Sequence, residues 1–410
     1  MNPTTLFYIL IAIIVAKYLI DTFLNSKNAA HFNDAIPKEL NDIYSEDEYL
    51  KSQNYKKVNH KFSLITSTFS IIITILFFMF DGFKIVDSFA RNFSENEIII
   101  ALIFFGTIFF ASDIINIPFS YYKTFVIEEK FGFNKTTIKT FIFDKIKSWL
   151  MLIIIGGGIL ALITLFYKLT TNNFWWCTWI LISGFSVLLN LFYSKLIVPI
   201  FNKQTPLEEG ELKTAIEQFA DKIGFKIQNI YVIDGSKRSS KANAYFSGFG
   251  NQKRITLYDT LIKDLTTDEI VAVLAHEVGH YKNKHIIYNM ILAVLLMGFT
   301  LYILSLLVGN STLSQALGVT TNSFHIGLIS FAILYSPISE ITNYFMNMLS
   351  RKFEYQADDY AKNNYNSAAL ISALKKLSKN SLSNLTPDNL YVKIHYSHPT
   401  LLQRIQNLKK

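Results

Sequence analysis

The amino-acid sequence predicts a mainly α-helical, multi-pass membrane protein with seven transmembrane helices and a small β element. One reason is composition, because half of the 410 residues are hydrophobic and only 17% are charged. Soluble domains usually carry about 25% charged residues. The other reason is that long apolar runs recur along the chain, and a hydrocarbon core about 30 Å thick needs roughly 20 such residues in a helix.

Seven segments have the length and composition of membrane spans. The first has no basic leader and no small-residue cleavage site, so we expect it to stay as a transmembrane helix. The last contains Ser336, Pro337 and Glu340, and polar residues inside a span usually face a cavity or another helix. The predicted spans are 6–24, 64–80, 98–119, 149–167, 174–197, 286–308 and 325–346.

The connecting segments alternate in positive charge. The first four contain 6, 2, 6 and 1 lysines and arginines, and the last three contain 12, 0 and 10. Basic loops tend to stay in the cytoplasm. The pattern predicts an outside or lumenal N-terminus and a cytoplasmic C-terminus, in a bacterial inner membrane or the endoplasmic reticulum.

We expect two regions. Residues 1–200 form an N-terminal membrane half with five spans, and residues 201–410 form a cytoplasmic region that also contains the last two spans. Within the second region, 208–224 is typical of an amphipathic helix closed by Gly224. Segments 229–234 and 254–258 are predicted strands, with a turn expected at 248–251.

The sequence His-Glu-Val-Gly-His at 276–280 predicts a zinc site. Residues four apart share one helix face, so His276 and His280 can bind one ion. Glu277 would then act as general base on a water whose pKa zinc lowers towards 7. Thr266 and Glu269 form a capping-box pattern, which predicts one helix over 266–280 that can run on into the sixth span.

A third ligand must be a carboxylate or a histidine, because the chain has one cysteine, Cys177, inside an apolar stretch. Glu354 and Asp358 lie four apart on a predicted helix after the seventh span. Glu354 can bind the metal, and Asp358 can accept a hydrogen bond from the ring nitrogen of a histidine ligand that points away from the metal. The alternative is a solvated acidic helix face. His285 is expected to be structural.

These motifs together resemble the CAAX prenyl protease 1 family, integral-membrane zinc metallopeptidases that cleave prenylated C-termini. Five separated segments occur in the family's order over 120–410. Glu354 matches the family's third zinc ligand. The matching segments are 125–135, Lys-Ala-Asn-Ala-Tyr at 241–245, the zinc motif at 276–280, 350–358, and Ser-His-Pro-Thr at 397–400 followed by Arg404.

The resemblance implies one Zn²⁺ per chain and a helical barrel around an intramembrane chamber. It implies that His398 is catalytic and stabilises the tetrahedral intermediate, and that Asn243 binds substrate. Arg404 would bind substrate or support the site. By themselves these three residues can each donate to an oxyanion, but without the resemblance an ordinary loop or surface role is the simpler interpretation of each.

The sequence therefore predicts a zinc-dependent membrane endopeptidase that cleaves near the C-terminus of prenylated CaaX-type or other membrane-associated substrates. We expect a monomer in the bilayer that does not bind nucleic acid, since its basic residues follow the topology pattern. One alternative is a broad-specificity quality-control metalloprotease. The other is a transporter or scaffold, but no matching pair of broken helices occurs in the two halves.

Overall fold

The computed structural model of the chain describes residues 2–225, 229–247 and 254–410. Seven of the helices in these ranges are long and apolar enough to span a membrane. Each contains one of the predicted spans whole or nearly whole, and all but the sixth are longer than predicted. This confirms the mainly α-helical, multi-pass architecture. The seven helices are Pro3–Ala30, Glu46–Met79, Glu97–Glu128, Ile138–Thr170, Phe174–Phe201, His285–Leu307 and Phe324–Asn364.

The first half contains eight α-helices among the described residues, one of which lies between the second and third spans. The fourth span was predicted as one helix over 149–167, but it begins at Ile138 and contains a π-helical turn at Leu152–Gly156. This turn leads into three successive glycines, 156–158, which favour the helical state weakly. The elements are α1 (Pro3–Ala30), α2 (Glu46–Met79), α3 (Gly82–Arg91), α4 (Glu97–Tyr122), α5 (Ile138–Met151), α6 (Gly157–Thr170), α7 (Phe174–Leu196) and α8 (Val198–Phe201).

The spans enclose an open interior. In the apolar part of each span only 6–33% of the residues are buried, whereas a solid bundle would bury one face of every helix. Lys17 of α1 forms an ion pair with Glu340 of the seventh span, and both side chains are almost half exposed. Charges at this depth avoid lipid, so this pair lies on the inner wall. The low burial and the inward ion pair favour the predicted barrel around a chamber.

The second half contains a four-stranded sheet and nine further helices among the described residues. The sheet order is β1-β2-β4-β3, with β2 parallel to β4 and the other pairs antiparallel. The elements are β1 (Gln204–Pro206), α9 (Glu211–Lys222), β2 (Asn229–Ile233), β3 (Ala244–Ser247), β4 (Arg254–Tyr258), α10 (Asp259–Asp264), α11 (Thr267–Lys282), α12 (His285–Leu307), α13 (Ser311–Gln315), α14 (Phe324–Asn364), α15 (Ser367–Asn380), α16 (Asn389–His395) and α17 (Leu401–Lys409).

Both predicted strands are confirmed as β2 and β4. The turn predicted at 248–251 lies outside the described residues. The predicted amphipathic helix is α9, and Gly224 closes it with a φ of +61°, while the amide of Phe225 donates to the carbonyl of Ala220 at 2.8 Å. α9 packs its apolar face on the core that also contains α11 and β4.

The helix with the zinc motif ends before the sixth span, contrary to the expectation that it can continue into it. α11 stops at Lys282, and Lys284 adopts a left-handed conformation with φ of 59°. α12 then starts at His285. This break turns the chain between the buried helix and the membrane, and it changes the direction in which His285 points.

The first basic loops pack against the C-terminal helices. One cluster joins Ile43 near the start of α2, Phe131 after α4, and Ile405 of α17. At the other end, Asp87 of α3 accepts a hydrogen bond from His325 Nε2 at 2.7 Å, at the start of α14. The amide of Lys135, in the basic loop after α4, donates to the carbonyl of Arg238 between β2 and β3 at 3.1 Å. The basic loops and the sheet therefore lie at one end of the spans, as the alternating loop charges predict.

Candidate metal centre

α11 is positioned by its cap and its buried face. The hydroxyl of Thr266 accepts from the amide of Glu269 at 3.4 Å, and the Glu269 carboxylate accepts from the amide of Thr266 at 2.8 Å. The predicted capping box is thus present. Ile270 and Leu274 are buried in the core of this half, so the helix is fixed along its length.

Three donor residues converge where α11 crosses α14. His276 Nε2 lies 3.2 Å from His280 Nε2 and 3.5 Å from Glu354 Oε2. His280 Nε2 lies 3.3 Å from Glu354 Oε1. Ligands at about 2.0–2.2 Å in a tetrahedron are separated by roughly 3.3–3.5 Å. The three residues that the sequence singled out therefore stand at the spacing that one zinc ion requires.

The surroundings of these donors favour a cation. Glu354 Oε2 is buried and has no hydrogen-bond partner among the described residues, which suits a carboxylate oxygen that binds metal. Burial lowers the pKa of His276, but its contacts with the carboxylates of Asp358 and Glu354 outweigh burial and raise that pKa to about 9. A site that stabilises a proton this strongly also attracts a metal ion.

Asp358 and Arg404 support His276 from behind. Asp358 is fully buried, and its Oδ1 accepts from His276 Nδ1 at 2.8 Å. When a metal ion displaces the other proton of this ring, the lone pair of His276 Nε2 is directed towards the other donors. Arg404 donates to both Asp358 oxygens, from Nε at 2.9 Å and Nη2 at 2.6 Å. Of the two roles open to Arg404, these contacts favour support of the site.

The other predicted site residues lie at different distances from the donors. His398 Nε2 is 3.2 Å from Glu354 Oε1, and its side chain is 62% exposed, so it can meet a substrate. Glu277 is half-buried beside His276 on α11. Asn243 is exposed just before β3, the edge strand, and none of the contacts described for it reaches the three donors.

His285 makes a contact that the sequence did not reveal. Its Nδ1 is 3.0 Å from Nδ1 of His280, and its Nε2 is 2.9 Å from Gln356 Oε1. If His285 Nε2 donates to that carbonyl oxygen, its Nδ1 must accept from His280, and His280 Nε2 then keeps a free lone pair. The two hydrogen bonds that link Gln356, His285 and His280 thus select the metal-binding tautomer of His280.

We expect His285→Phe to weaken zinc binding about 10–100-fold, the usual cost of losing a contact behind a metal ligand. The ring of His285 stacks on Phe353 with centroids 4.1 Å apart. Phenylalanine can keep this stack while it removes both hydrogen bonds. The measurement is zinc affinity in competition with a chromogenic chelator.

Variants of Gln356 test the same pair of hydrogen bonds from the other end. Gln356→Glu keeps an oxygen acceptor and should keep zinc affinity, whereas Gln356→Leu should lower it as His285→Phe does. His395→Phe is the matched control, since His395 packs on Tyr391. Unchanged zinc affinity in both His285→Phe and Gln356→Leu would contradict this account.

Gly279 allows the two metal-binding helices to approach each other. A Cβ at this position would lie 3.0 Å from backbone atoms of Ala357 and 3.0 Å from Cβ of Tyr360. Backbone atoms cannot move aside as a flexible side chain can. The glycine in His-Glu-Val-Gly-His therefore sets the distance between α11 and α14.

We expect Gly279→Ala to lower zinc affinity at least about tenfold, because the added methyl group separates the histidines from Glu354 and misplaces ligands by a few tenths of an ångström. Chelator competition measures this. Gly184→Ala in α7 is the control, because a Cβ there meets nothing within 4 Å. Wild-type affinity in Gly279→Ala would show that the helices can adjust at no cost to the site.

Two family models match the chain, one in each half. Residues 25–203 match the family model described as CAAX prenyl protease N-terminal, five membrane helices. Residues 206–410 match the model of peptidase family M48. Together these matches cover almost all of the chain.

Curated relatives are similar over nearly their whole length. CAAX prenyl protease 1 of Saccharomyces cerevisiae is 36% identical, with 96% of this chain and 93% of the relative covered. The human homologue is 33% identical, with the same coverage. The crystal structure of Ste24p from S. mikatae superposes with a TM-score of 0.94 at 34% identity, and 99% of each chain is covered.

Proposed function

The chain belongs to the CAAX prenyl protease 1 family within peptidase family M48, and from this membership we propose that it uses one zinc ion to cleave peptides near a prenylated C-terminus. It is a membrane metalloendopeptidase, and the transporter and scaffold alternatives are therefore set aside. The name shared by the relatives supports a CaaX substrate. The proposal also assigns roles to individual residues of the site.

One observation carries the metal assignment. The donor atoms of His276, His280 and Glu354 all lie within 4.8 Å of one another. Two imidazoles and one carboxylate form a ligand set used by catalytic zinc, which keeps one position for water or substrate. His276, His280 and Glu354 would hold the ion, and when bound it would polarise the scissile carbonyl and acidify water.

The chain's own residues would supply the remaining chemistry. Glu277 would accept the proton of the attacking water and pass it to the leaving amine. His398, next to Glu354 yet accessible, would donate to the oxygen that becomes negative in the transition state. Asn243 would bind the substrate backbone beside the edge strand β3.

Zinc content and affinity test the metal assignment. We expect Glu354→Ala to lower zinc affinity more than about 100-fold, which exceeds the usual loss when a contact behind a metal ligand is removed. The reason is that it removes a charged ligand and leaves two histidines. Glu217→Ala on the exposed face of α9 is the control. Stoichiometric zinc of wild-type affinity in Glu354→Ala would exclude Glu354 as a ligand.

Cleavage of paired peptides tests the substrate assignment. Purified wild-type protein is given a farnesylated CaaX peptide and its unlipidated twin, beside the Glu277→Gln variant. Cleavage of only the farnesylated peptide, and only by wild type, is the expected result. Equal cleavage of both peptides would keep the metalloprotease and favour a broad-specificity role in membrane-protein quality control.

We propose that the sheet and α11 face the cytoplasm and that the division into a membrane half and a metallopeptidase region falls near residue 200. The alternation of basic loops supports the orientation. The ranges of the two family matches support the division. Protease protection of tags at the two termini tests the orientation in sealed vesicles whose cytoplasmic face is outside. Digestion of the N-terminal tag in these vesicles would show that the orientation is the reverse of the proposed one.

A further inference from the structure

A basic cavity of about 550 Å³ lies at the end of the spans that holds the sheet. Five cationic side chains line it, from α5, α7, the segment before β1, the loop after β2, and β4. Asp234 is the one carboxylate among the described residues that line this cavity. The cationic residues are Lys147, Lys195, Lys203, Lys237 and Arg254.

The single carboxylate does not balance these cations. Asp234 Oδ1 accepts from Asn202 Nδ2 at 2.9 Å and from the amide of Lys203 at 2.8 Å, so it holds the backbone before β1. Formal charges around the cavity sum to +4, five cations against one carboxylate. Like charges held round one concave surface repel each other and raise the local concentration of anions.

Two of the cations are held in place. The guanidinium of Arg254 lies over the ring of Tyr231, 3.5 Å from its centroid, and donates to Gln204 Oε1 at 3.1 Å. Lys147 Nζ donates to the carbonyl of Ile200 at 2.7 Å. An ammonium has three donors and a guanidinium five, so both retain donors for an anion. Lys203 and Lys237 are exposed and add charge at the rim.

The cavity lies at the depth of a lipid head group. Lys147 precedes Trp149 by two residues and Lys195 follows Tyr193 by two, and tryptophan and tyrosine concentrate at the membrane–water boundary. Beside the cations, Leu196 is 63% exposed and Ile200 is 38% exposed. The cavity therefore combines a cationic wall with an apolar edge, which matches a phosphate joined to acyl chains.

We propose that this cavity binds the phosphate head group of an anionic phospholipid. Basic pockets at the cytoplasmic ends of transmembrane helices recognise such head groups by charge. The site lies apart from the metal centre, and binding there would fix the sheet relative to α5 and α7 at the membrane surface.

Lipid titration with native mass spectrometry tests the proposal on the full-length Glu277→Gln protein in detergent. The probes are phosphatidic acid, phosphatidylcholine and glycerol 3-phosphate, which has the same phosphate without acyl chains. We expect saturable binding of phosphatidic acid, with much weaker binding of phosphatidylcholine. Because Glu277→Gln is used throughout, the result does not depend on cleavage of any substrate.

Charge variants locate the binding. Lys203→Glu with Lys237→Glu should weaken phosphatidic acid binding at least about tenfold, and Lys203→Gln with Lys237→Gln should weaken it less. Lys222→Glu with Lys263→Glu, on exposed surface that does not line the cavity, makes the same change in net charge and should leave binding intact. Equal losses in both glutamate pairs would overturn the site in favour of diffuse attraction.

Glycerol 3-phosphate separates a lipid from a free phosphate. Weak binding of this soluble probe, beside tight binding of phosphatidic acid, supports the head-group assignment. Equally tight binding of both, lost in the same variants, would overturn the assignment to a lipid and identify the ligand as a soluble phosphate ester.

Discussion

Glu277→Gln is expected to lower kcat/KM for peptide cleavage by about 10²–10⁴-fold, the usual contribution of a positioned general base, while zinc content stays unchanged. The amide of glutamine has nearly the size of the carboxylate but cannot accept the proton of the attacking water. Glu277 lies beside His276 on α11 and is none of the three donors that converge there. Its loss should therefore affect turnover without affecting the metal.

The experiment pairs zinc content with cleavage rate in detergent-purified protein. Glu217→Gln, on the exposed face of α9, repeats the chemical change away from the site and should cleave at the wild-type rate. Full activity in Glu277→Gln would refute its role as the base. Loss of zinc together with activity would instead place Glu277 in metal binding.

The metal-binding helix was predictable because its signals are local. The capping box at Thr266 fixes the start of α11, and the four-residue spacing of His276 and His280 fixes their common face. Glu354 was different. It lies 74 residues beyond His280, counted from 280 to 354, and no periodicity relates the two. The residue types left Glu354 as a candidate beside a solvated acidic face, and the resemblance to a family singled it out as the ligand.

Two features of the site were hidden because they depend on backbone geometry. His285 follows His280 by five residues, which on a continuous helix places the two on different faces. The left-handed conformation of Lys284 breaks the helix and brings His285 Nδ1 to 3.0 Å from His280. The close approach at Gly279 depends on α14, so a single-sequence reading has no signal for it.

The second large effect concerns stability. Arg404→Met is expected to lower the free energy of unfolding by about 3–5 kcal/mol, the typical cost of removing one partner from a buried ion pair. Arg404 is 12% exposed and Asp358 is fully buried. Without the guanidinium, the Asp358 carboxylate stays buried, and His276 is its remaining ion-pair partner among the described residues. Burial lowers the pKa of Arg404, but pairing with Asp358 outweighs this and raises it, so the pair is charged at neutral pH.

Pulse proteolysis across a urea series measures the shift in the midpoint, because cleavage then follows the unfolded population. Lys409→Met on the exposed end of the same helix is the control, and it should stay within about 0.5 kcal/mol of wild type. Similar losses in Arg404→Met and Lys409→Met would contradict the buried pair as a source of stability.

A double variant separates the buried charge from the packing of the arginine side chain. Asp358→Asn combined with Arg404→Met removes both charges, and the asparagine oxygen can still accept from His276 Nδ1. If the penalty in Arg404→Met comes from an unpaired carboxylate, the double variant should recover a large part of the lost stability. If it recovers none, the aliphatic stem of Arg404 and its packing carry the effect, and Asp358 contributes to the metal site without contributing to the fold.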